Sequence, residues 1–518
     1  MVHSTPVDPK KCTPTELEKA QTTLMFVTEK RDGTIKARAV YNGKPTRVWQ
    51  NKDDVRSPTV SLEGLMLSLC IDAKEGRDVM TLDVPNAFIQ ADMPQPTDGS
   101  DRVIMKVEGT LAELLVDLDP EKYGPYLAYE KGRPIIYVVV LKALYGMLVA
   151  ALLWYKRFRK DLEEVGFEFN PYDPCVANRI VNGKQQTICF HVDDLKSSHV
   201  DPKVNDEFYA WCAHMYGRYG EVKNTRGVKH DYLGMTIDFS VPGKVMIDMV
   251  DYIAKACEEF PMDLSQVKSV PSAAPADLFT VGDSTKLGVT EKETFHTFTA
   301  KLLFTCKRAR PDMNTLISVL CTRVKEPNQD DWLKLVQGMK FLSQTVQDKL
   351  ILSVDDLRVV KWWVDASFAV HHDYRSHTGA VMSYGSGAPM TISSKQKLNT
   401  RSSTDAELVG ADDVMSPLLW TKLFLEAQGI DVQENILYQD NKSAILLEEN
   451  GKASSGKRTR ALNIRFFFIH DQVNKGNVRV VYCPTAEMKG DYFTKPLQGK
   501  LFNEHRAFIM GHDLSISN

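Results

Sequence analysis

The sequence predicts a mixed chain of helices and strands, of class α/β (α+β), divided into several domains. Its 518 residues exceed one ordinary hydrophobic core and call for roughly three or four units of about 100–200 residues each. Its composition, 43% apolar and 25% charged, is that of a folded globular chain. Strand-type and helix-type periodicities also interleave along the chain, and from residue 359 strands come first, followed by mixed helix and strand.

The elements follow in order. Residues 22–50, "TLMFVTEKRDGTIKARAVYNGKPTRVW" and its flanks, read as short strands about an Asp32-Gly33 turn. Lys30, Arg31, Lys36, Arg38, Lys44 and Arg47 make this stretch basic, either as a solvated face or as a surface for phosphates. Residues 57–75 suggest a helix. Residues 78–90 suggest a strand that Pro85 breaks. A long helix is expected over 141–166, closed by Gly166. It contains the longest apolar run, "ALYGMLVAALLWY", which is too short to span a bilayer. "CVANRIVNGKQQTICFHVDD" reads as a hairpin turning at Asn182-Gly183. A helix over about 202–219 and a hairpin turning at Pro242-Gly243 come next. Residues 269–288 read as a linker and 291–350 as mostly helical. The remainder is an alternation ending in the strand "NVRVVYCP" and a short helix in "AEMKGDYFTKP".

The net charge of −3 gives no global basic signal, so any nucleic-acid surface must come from local clusters. Nine scattered cysteines without a CxxC argue against a disulfide framework and for a reducing compartment. The N-terminus lacks the apolar core of a signal peptide.

Chemistry concentrates in carboxylates. In "TICFHVDDL" an alternating strand ends in Asp193 and Asp194. Adjacent carboxylates repel unless water or a cation intervenes. A turn explains such a pair as well as a metal site does, and a third carboxylate in a comparable setting decides. Asp83, ending the strand in "VMTLDVPNAF", is that third group. Three converging carboxylates suit two divalent cations and nucleotidyl transfer. Phe88, five residues on, is a bulky ring able to sense a 2′-hydroxyl. A second set is Asp365 in "WWVDASF", Glu407 in "STDAELVG", Asp440 ending "NILYQD" and Asp491 in the last short helix. Each has a bland alternative: an ion pair for Asp365, a capping box with Thr404 for Glu407, an N-cap for Asp440, and a helix-dipole partner for Asp491. Together they fit a two-metal phosphodiester hydrolase.

"GKASSGKRT", 451–459, nearly matches a phosphate loop, but Arg458 replaces the metal-binding hydroxyl and no strand precedes it. Lys452, Lys457, Arg458, Arg460 and Arg465 instead form a basic run suited to a nucleic-acid backbone. His371, His372 and His377 are assigned to loop surface.

Taken together, "TIKARAV", "TLDVPNAFIQADM", "ALYGM…WY", "FHVDDL", "YLGM", "RARPDM", "SHTGAVM", "SSTDAEL", "QDNKSAI" and "DYFTKPL" resemble, in order, the reverse transcriptase and ribonuclease H portion of copia-type retrotransposon polyproteins, over about residues 22–505. The resemblance implies a right-hand polymerase of palm, fingers and thumb plus a connection, followed by an RNase H-like domain. The implied boundaries are an N-terminal extension at 1–21, fingers and palm at 22–240, thumb and linker at 241–290, connection at 291–356, the RNase H-like domain at 357–500 and a tail at 501–518. It implies Mg2+, two per active site with Mn2+ an alternative, at Asp83, Asp193 and Asp194 for polymerisation and at Asp365, Glu407, Asp440 and Asp491 for cutting RNA in RNA–DNA hybrids. It implies Lys36, Arg38 and Phe88 for the incoming nucleotide. Lys457, Arg458 and Arg460 are the nucleic-acid contacts read from the basic run. The implied partners are an RNA template, a DNA primer, their hybrid and dNTPs, with no membrane. The implied location is intracellular: cytoplasmic, in virus-like particles, or nuclear.

The chain also departs from the family. "LYGMLVAAL" stands where the family has "LYGLKQAPR", so Val149 occupies the position of a glutamine expected to hold nucleotide, and Leu148 and Leu152 replace basic residues. His191 precedes "VDD" in place of Tyr or Phe, and Ala461 and Asn463 replace a His and an Asp. These departures support an alternative: a decayed or domesticated copy that binds nucleic acid or protein without catalysis. The seven intact carboxylates oppose it.

Overall fold

The computed structural model describes residues 4–29, 33, 35–95, 101–264, 268–451 and 463–513. Four sheets carry the architecture. The N-terminal sheet runs Ser4–Pro6, Arg133–Val140, Ile104–Glu108, Gln21–Glu29 and Ile35–Tyr41, with Ala128–Glu130 added beside Arg133–Val140. The central sheet runs Lys223–Thr225, Asp78–Asp83, Asp194–His199, Lys184–His191, Val176–Val181 and Glu168–Phe169. Its strands are paired antiparallel throughout. The third sheet, Lys229–Tyr232, Met235–Asp238, Lys244–Asp248, Leu350–Val354 and Gly385–Ser386, joins segments far apart in the chain. The C-terminal sheet runs Met390–Lys395, His377–Ser383, Val359–Ser367, Glu434–Gln439 and Arg479–Tyr482. Its last two pairings are parallel, which puts helical crossovers between those strands.

Helix Leu62–Glu75 packs against strands Lys244–Asp248 and Leu350–Val354 of the third sheet and is tied to the central sheet through Asp72. It starts at Ser61, whose hydroxyl accepts from the Gly64 amide, and buries residues 64–73 almost continuously. Near its end the Asp72 carboxylate takes Lys196 Nζ at 2.5 Å, with both side chains 1% exposed. A buried pair of this kind is costly to break, because a lone charge remains. Helix Ala150–Glu164 packs Trp154, Phe158 and Leu162 inward at helical spacing. One large apolar core runs from this sheet through the third sheet into the C-terminal region, while the N-terminal sheet has cores of its own.

The long helix expected over 141–166 is shorter, Ala150–Glu164. Gly146 is the reason. Its φ is +90°, and a Cβ there would lie 2.0 Å from the Tyr41 carbonyl oxygen. The neighbouring backbone pairs with other segments, the Tyr145 carbonyl accepting from the Tyr41 amide and the Ala143 amide donating to Ala91. An apolar run thus reads as helix by periodicity, yet a close backbone approach holds it in turns ahead of the helix. The 291–350 segment is helical as expected, in Val289–Cys306, Asn314–Arg323 and Gln329–Gln344. Residues 499–510, where a tail was expected from 501, form a helix that buries Phe502, Ile509 and Met510. His371 and His377 are not loop surface. Both are buried, His377 opens strand His377–Ser383, and His371 Nε2 meets His377 Nδ1 at 2.9 Å. Among the described residues no helix is long and apolar enough to cross a membrane.

Two candidate carboxylate centres

In the first centre the hairpin Lys184–His191/Asp194–His199 meets strand Asp78–Asp83, and the register sets Asp194 directly opposite Asp83. Asp193 lies in the two-residue turn with Val192. Val192 has φ +60°, a left-handed conformation that a β-branched residue resists. The surroundings hold the turn. Trp154 Nε1 donates to the Val192 carbonyl at 2.6 Å, and the Val84 amide donates to the Asp193 carbonyl at 3.1 Å. Tyr232 Oη donates to the Cys189 and Asp194 carbonyls at 3.1 and 3.3 Å. Burial, then the charge of Asp83, raises the Asp193 pKa, and burial, then Asp193 and Asp83, raises that of Asp194. These carboxyls are crowded in a way that a cation relieves.

Trp154→Phe keeps an aromatic ring but leaves the Val192 carbonyl without its indole donor and part of a fully buried site unfilled. It is expected to cost about 1–3 kcal/mol, read as a lower urea midpoint at unchanged slope.

Beside the carboxylates, Phe88 sits on the short helix Ala87–Gln90, behind a left-handed Asn86 whose Nδ2 donates to the Tyr219 carbonyl. The Phe88 ring lies 4.5 Å from that of Tyr145, and the Arg38 guanidinium lies 5.4 Å from the Tyr145 centroid. Burial, then Asp193, raises the Tyr145 pKa. Arg38, Asn86 and Tyr145 line one pocket. Val149 lines a different one, with Tyr41, Trp49, Met147 and Leu148. Sequence reasoning missed Tyr145, and the one available signal was its place next to Gly146, where the backbone turns. Lys36 shares strand Ile35–Tyr41 with Arg38, two residues away, but its side chain lies outside the described residues. His191 pairs with Asp194 in the hairpin register.

The second centre lies in the C-terminal sheet. Asp365 belongs to strand Val359–Ser367, opposite Gly379. A Cβ on Gly379 would lie 2.6 Å from Thr494 Cγ2, and one on Gly490 would lie 2.9 Å from the Asp365 amide nitrogen. Only glycines let helix Asp491–Thr494 rest so closely on this strand. Glu407 comes from helix Ser403–Ala427 and Asp440 from the end of strand Glu434–Gln439. Ligand oxygens of Asp365, Glu407 and Asp440 all lie within 4.8 Å of one another, the one such convergence of three among the described residues. The first centre is more open.

The bland alternatives are now decided. Ser402, not Thr404, caps the Glu407 helix. Asn441, not Asp440, caps the helix that follows it. Both carboxylates are thus released from capping. Glu407 Oε2 is buried with no hydrogen-bond partner. Burial, then Asp365 and Asp440, raises the Glu407 pKa well above the usual carboxylate range. Burial leads in raising Asp440, whose Oδ2 accepts from Thr485 Oγ1 at 2.9 Å. Burial and Asp365 push Asp491 up to about 7. Asp491 does begin its short helix, and Asp365 does have a cation nearby, Lys495, at 3.6 Å.

Lys457, Arg458 and Arg460 lie outside the described residues, as do Lys452 and the rest of the phosphate-loop look-alike after Gly451. Arg465, read with that basic run, is instead ion-paired to Asp412 at 2.5 Å.

No family model matches the chain. It is 24% identical over 494 residues to the retrovirus-related Pol polyprotein from transposon TNT 1-94 of Nicotiana tabacum, covering 93% of this chain and 35% of that protein. It is 25% identical over 486 residues to the Pol polyprotein from transposon RE1 of Arabidopsis thaliana, covering 92% of this chain and 31% of that protein. The chain thus spans about a third of the length of these relatives. Among solved structures, a foamy viral protease-reverse transcriptase in complex with double-stranded DNA aligns at TM-score 0.47 and 12% identity, covering 90% of this chain and 65% of that one.

Proposed function

From a chain whose homologues, over most of its length, are Pol polyproteins of copia- and Ty1-type retrotransposons, we propose an RNA-directed DNA polymerase that also carries ribonuclease H activity on RNA–DNA hybrids. The observation that supports it most is the occurrence of two carboxylate centres in one chain, one at a hairpin tip facing a strand end and one in a mixed sheet. The donor sets are all carboxylate oxygen, which suits Mg2+ or Mn2+. The buried, partnerless Glu407 Oε2 fits a cation at the second centre. Asp83, Asp193 and Asp194 would hold the ions of the first centre, and Asp365, Glu407, Asp440 and Asp491 those of the second. Bound divalent ions supply Lewis-acid polarisation of the phosphate and a more acidic attacking hydroxyl or water.

The protein's own groups do the rest. Arg38, with Lys36 on the same strand, offers positive charge to a triphosphate in the Arg38–Asn86–Tyr145 pocket. Phe88 packs its ring against Tyr145, which lines that pocket, and is the group to exclude a 2′-hydroxyl. The hairpin held by Trp154, Val84 and Tyr232 keeps Asp193 and Asp194 in place, so no reorganisation is needed as charge develops. The RNA template, DNA primer and dNTPs are the partners of this reading, and Lys457, Arg458 and Arg460 are kept as contacts to the nucleic-acid backbone.

The non-catalytic alternative rested on Val149, Leu148, Leu152, Ala461 and Asn463, of which the last two have side chains outside the described residues. Val149 and Leu148 line a pocket away from Arg38 and Tyr145, which lessens their weight. The test is incorporation of dTTP on an RNA template with a DNA primer and Mg2+. The intact chain is expected to extend the primer, and the Asp193→Asn plus Asp194→Asn chain to lose extension by about a thousandfold or more, as groups acting as one unit do. A folded, hybrid-binding intact chain that adds nothing would favour the binding-only alternative.

A further inference from the structure

The second centre holds a feature that a set of metal-binding carboxylates does not require. Three of its four carboxylates converge, but Asp491 is not among them. It is turned to Lys495, whose Nζ donates to Asp491 Oδ1 at 2.7 Å. The same ammonium lies 3.6 Å from Asp365 Oδ2. Asp365 is therefore shared, facing Glu407 and Asp440 on one side and Lys495 on the other.

An ordinary surface pair four residues apart on a helix explains only half of this. Such pairs are weak and local. Here the second carboxylate is on another element, strand Val359–Ser367, and is 3% exposed. Lys495 follows the last residue of the Asp491 helix, and its backbone turns extended there. Its amide donates to the Asp491 carbonyl at 2.9 Å, and Thr494 Oγ1 donates to Asp365 Oδ2. Main chain and side chain together aim the ammonium back between the two carboxylates.

We infer that Lys495 is the resident counter-cation of the second centre, filling the position between Asp365 and Asp491, so that a divalent ion enters there only by displacing it. This rests on the reading of the four carboxylates as metal ligands. The position among Asp365, Glu407 and Asp440 is open to a first ion without moving Lys495. The position between Asp365 and Asp491 is not. The two positions therefore differ in affinity, and Lys495 sets the difference. It is a positioning residue, keeping four crowded carboxylates together until metal and hybrid arrive.

The test is Mn2+ binding to the full chain without nucleic acid, followed by the electron paramagnetic resonance signal of free Mn2+. The Asp193→Asn plus Asp194→Asn background silences the first centre. The chain with Lys495 is expected to show a tight and a weak class of ion, both lost in Asp365→Asn. Lys495→Met and the equally long, neutral Lys495→Gln should each tighten the weak class by about tenfold or more, the scale of one released charge-assisted hydrogen bond. Lys495→Arg should leave it weak. Metal-free melting temperature should fall in both neutral variants and recover with Mn2+. Unchanged binding in the folded neutral variants overturns the inference and leaves Lys495 as a surface ion pair. If Asp365→Asn changes no Mn2+ class at all, the metal reading of this centre falls, and the inference falls with it.

Discussion

Asp365→Asn is expected to abolish cutting of the RNA strand in an RNA–DNA hybrid while primer extension continues. Asp365 is the one carboxylate that belongs to both halves of the second centre, since it converges with Glu407 and Asp440 and also faces Lys495. Asparagine keeps its shape and removes the charge. The remaining groups then lack the ligand that joins them, and loss by about a thousandfold or more is the scale seen when one member of a cooperating set is removed. Asp365 sits in the C-terminal sheet, whereas Asp83, Asp193 and Asp194 sit at the central sheet. Extension by the variant should therefore match that of the intact chain within about twofold, as expected of distant, independent sites. The assay follows a 5′-labelled RNA strand and a labelled DNA primer separately. Loss of both activities in a chain with unchanged melting would show that the two centres are not separable.

The second large effect is on stability. Asp312 and Arg310 are fully buried together. Arg310 Nε and Nη2 donate to the two Asp312 oxygens at 2.9 Å each, and Arg506 Nε donates to Oδ2 at 2.9 Å. Arg506 also reaches Asp348 at 2.5 Å. Burial raises the Asp312 carboxyl, and the two guanidiniums more than reverse this, drawing its pKa to about 2. Asp312→Ala leaves two guanidiniums facing each other in the interior and is expected to cost about 3–5 kcal/mol, measured by urea unfolding. A folded pKa below the unfolded one means that the stabilisation is present above the ordinary aspartate pKa. It is lost as pH falls from about 4 toward 2. The variant should therefore show less acid destabilisation over that window than the intact chain. The Asp312 carbonyl also accepts from Tyr492 Oη at 3.0 Å, and Tyr492 neighbours Asp491. Hybrid cleavage should accordingly suffer more than primer extension. A change under 1 kcal/mol, roughly the scale of an exposed pair, would refute the buried network as described.

Much of this was legible in the sequence, for physical reasons that can be named. Asp83, Asp193 and Asp194 stood out because each follows an apolar alternation, and strand pairing then brings Asp83 and Asp194 opposite each other. Glu407 and Asp440 were harder. Capping chemistry predicts the same residues at the same spacings, and only the observed caps at Ser402 and Asn441 set them free. The 141–149 segment was misread because hydrophobic periodicity does not register a glycine whose backbone must touch the Tyr41 carbonyl. The same error hid Tyr145. His371 and His377 were misplaced because burial of a polar pair depends on which strands close over it, and one chain's local pattern does not contain that. Lys495 was invisible for a similar reason: its partner Asp365 lies 130 positions earlier, across a helix–strand contact.

The most direct measurement puts the intact chain with a 5′-labelled RNA template, a labelled DNA primer, all four dNTPs and Mg2+ in one tube, and reads both strands over time. The account predicts that the primer lengthens and the RNA then shortens behind it, with EDTA stopping both. A folded chain that binds the hybrid yet leaves both strands at their starting lengths would contradict it.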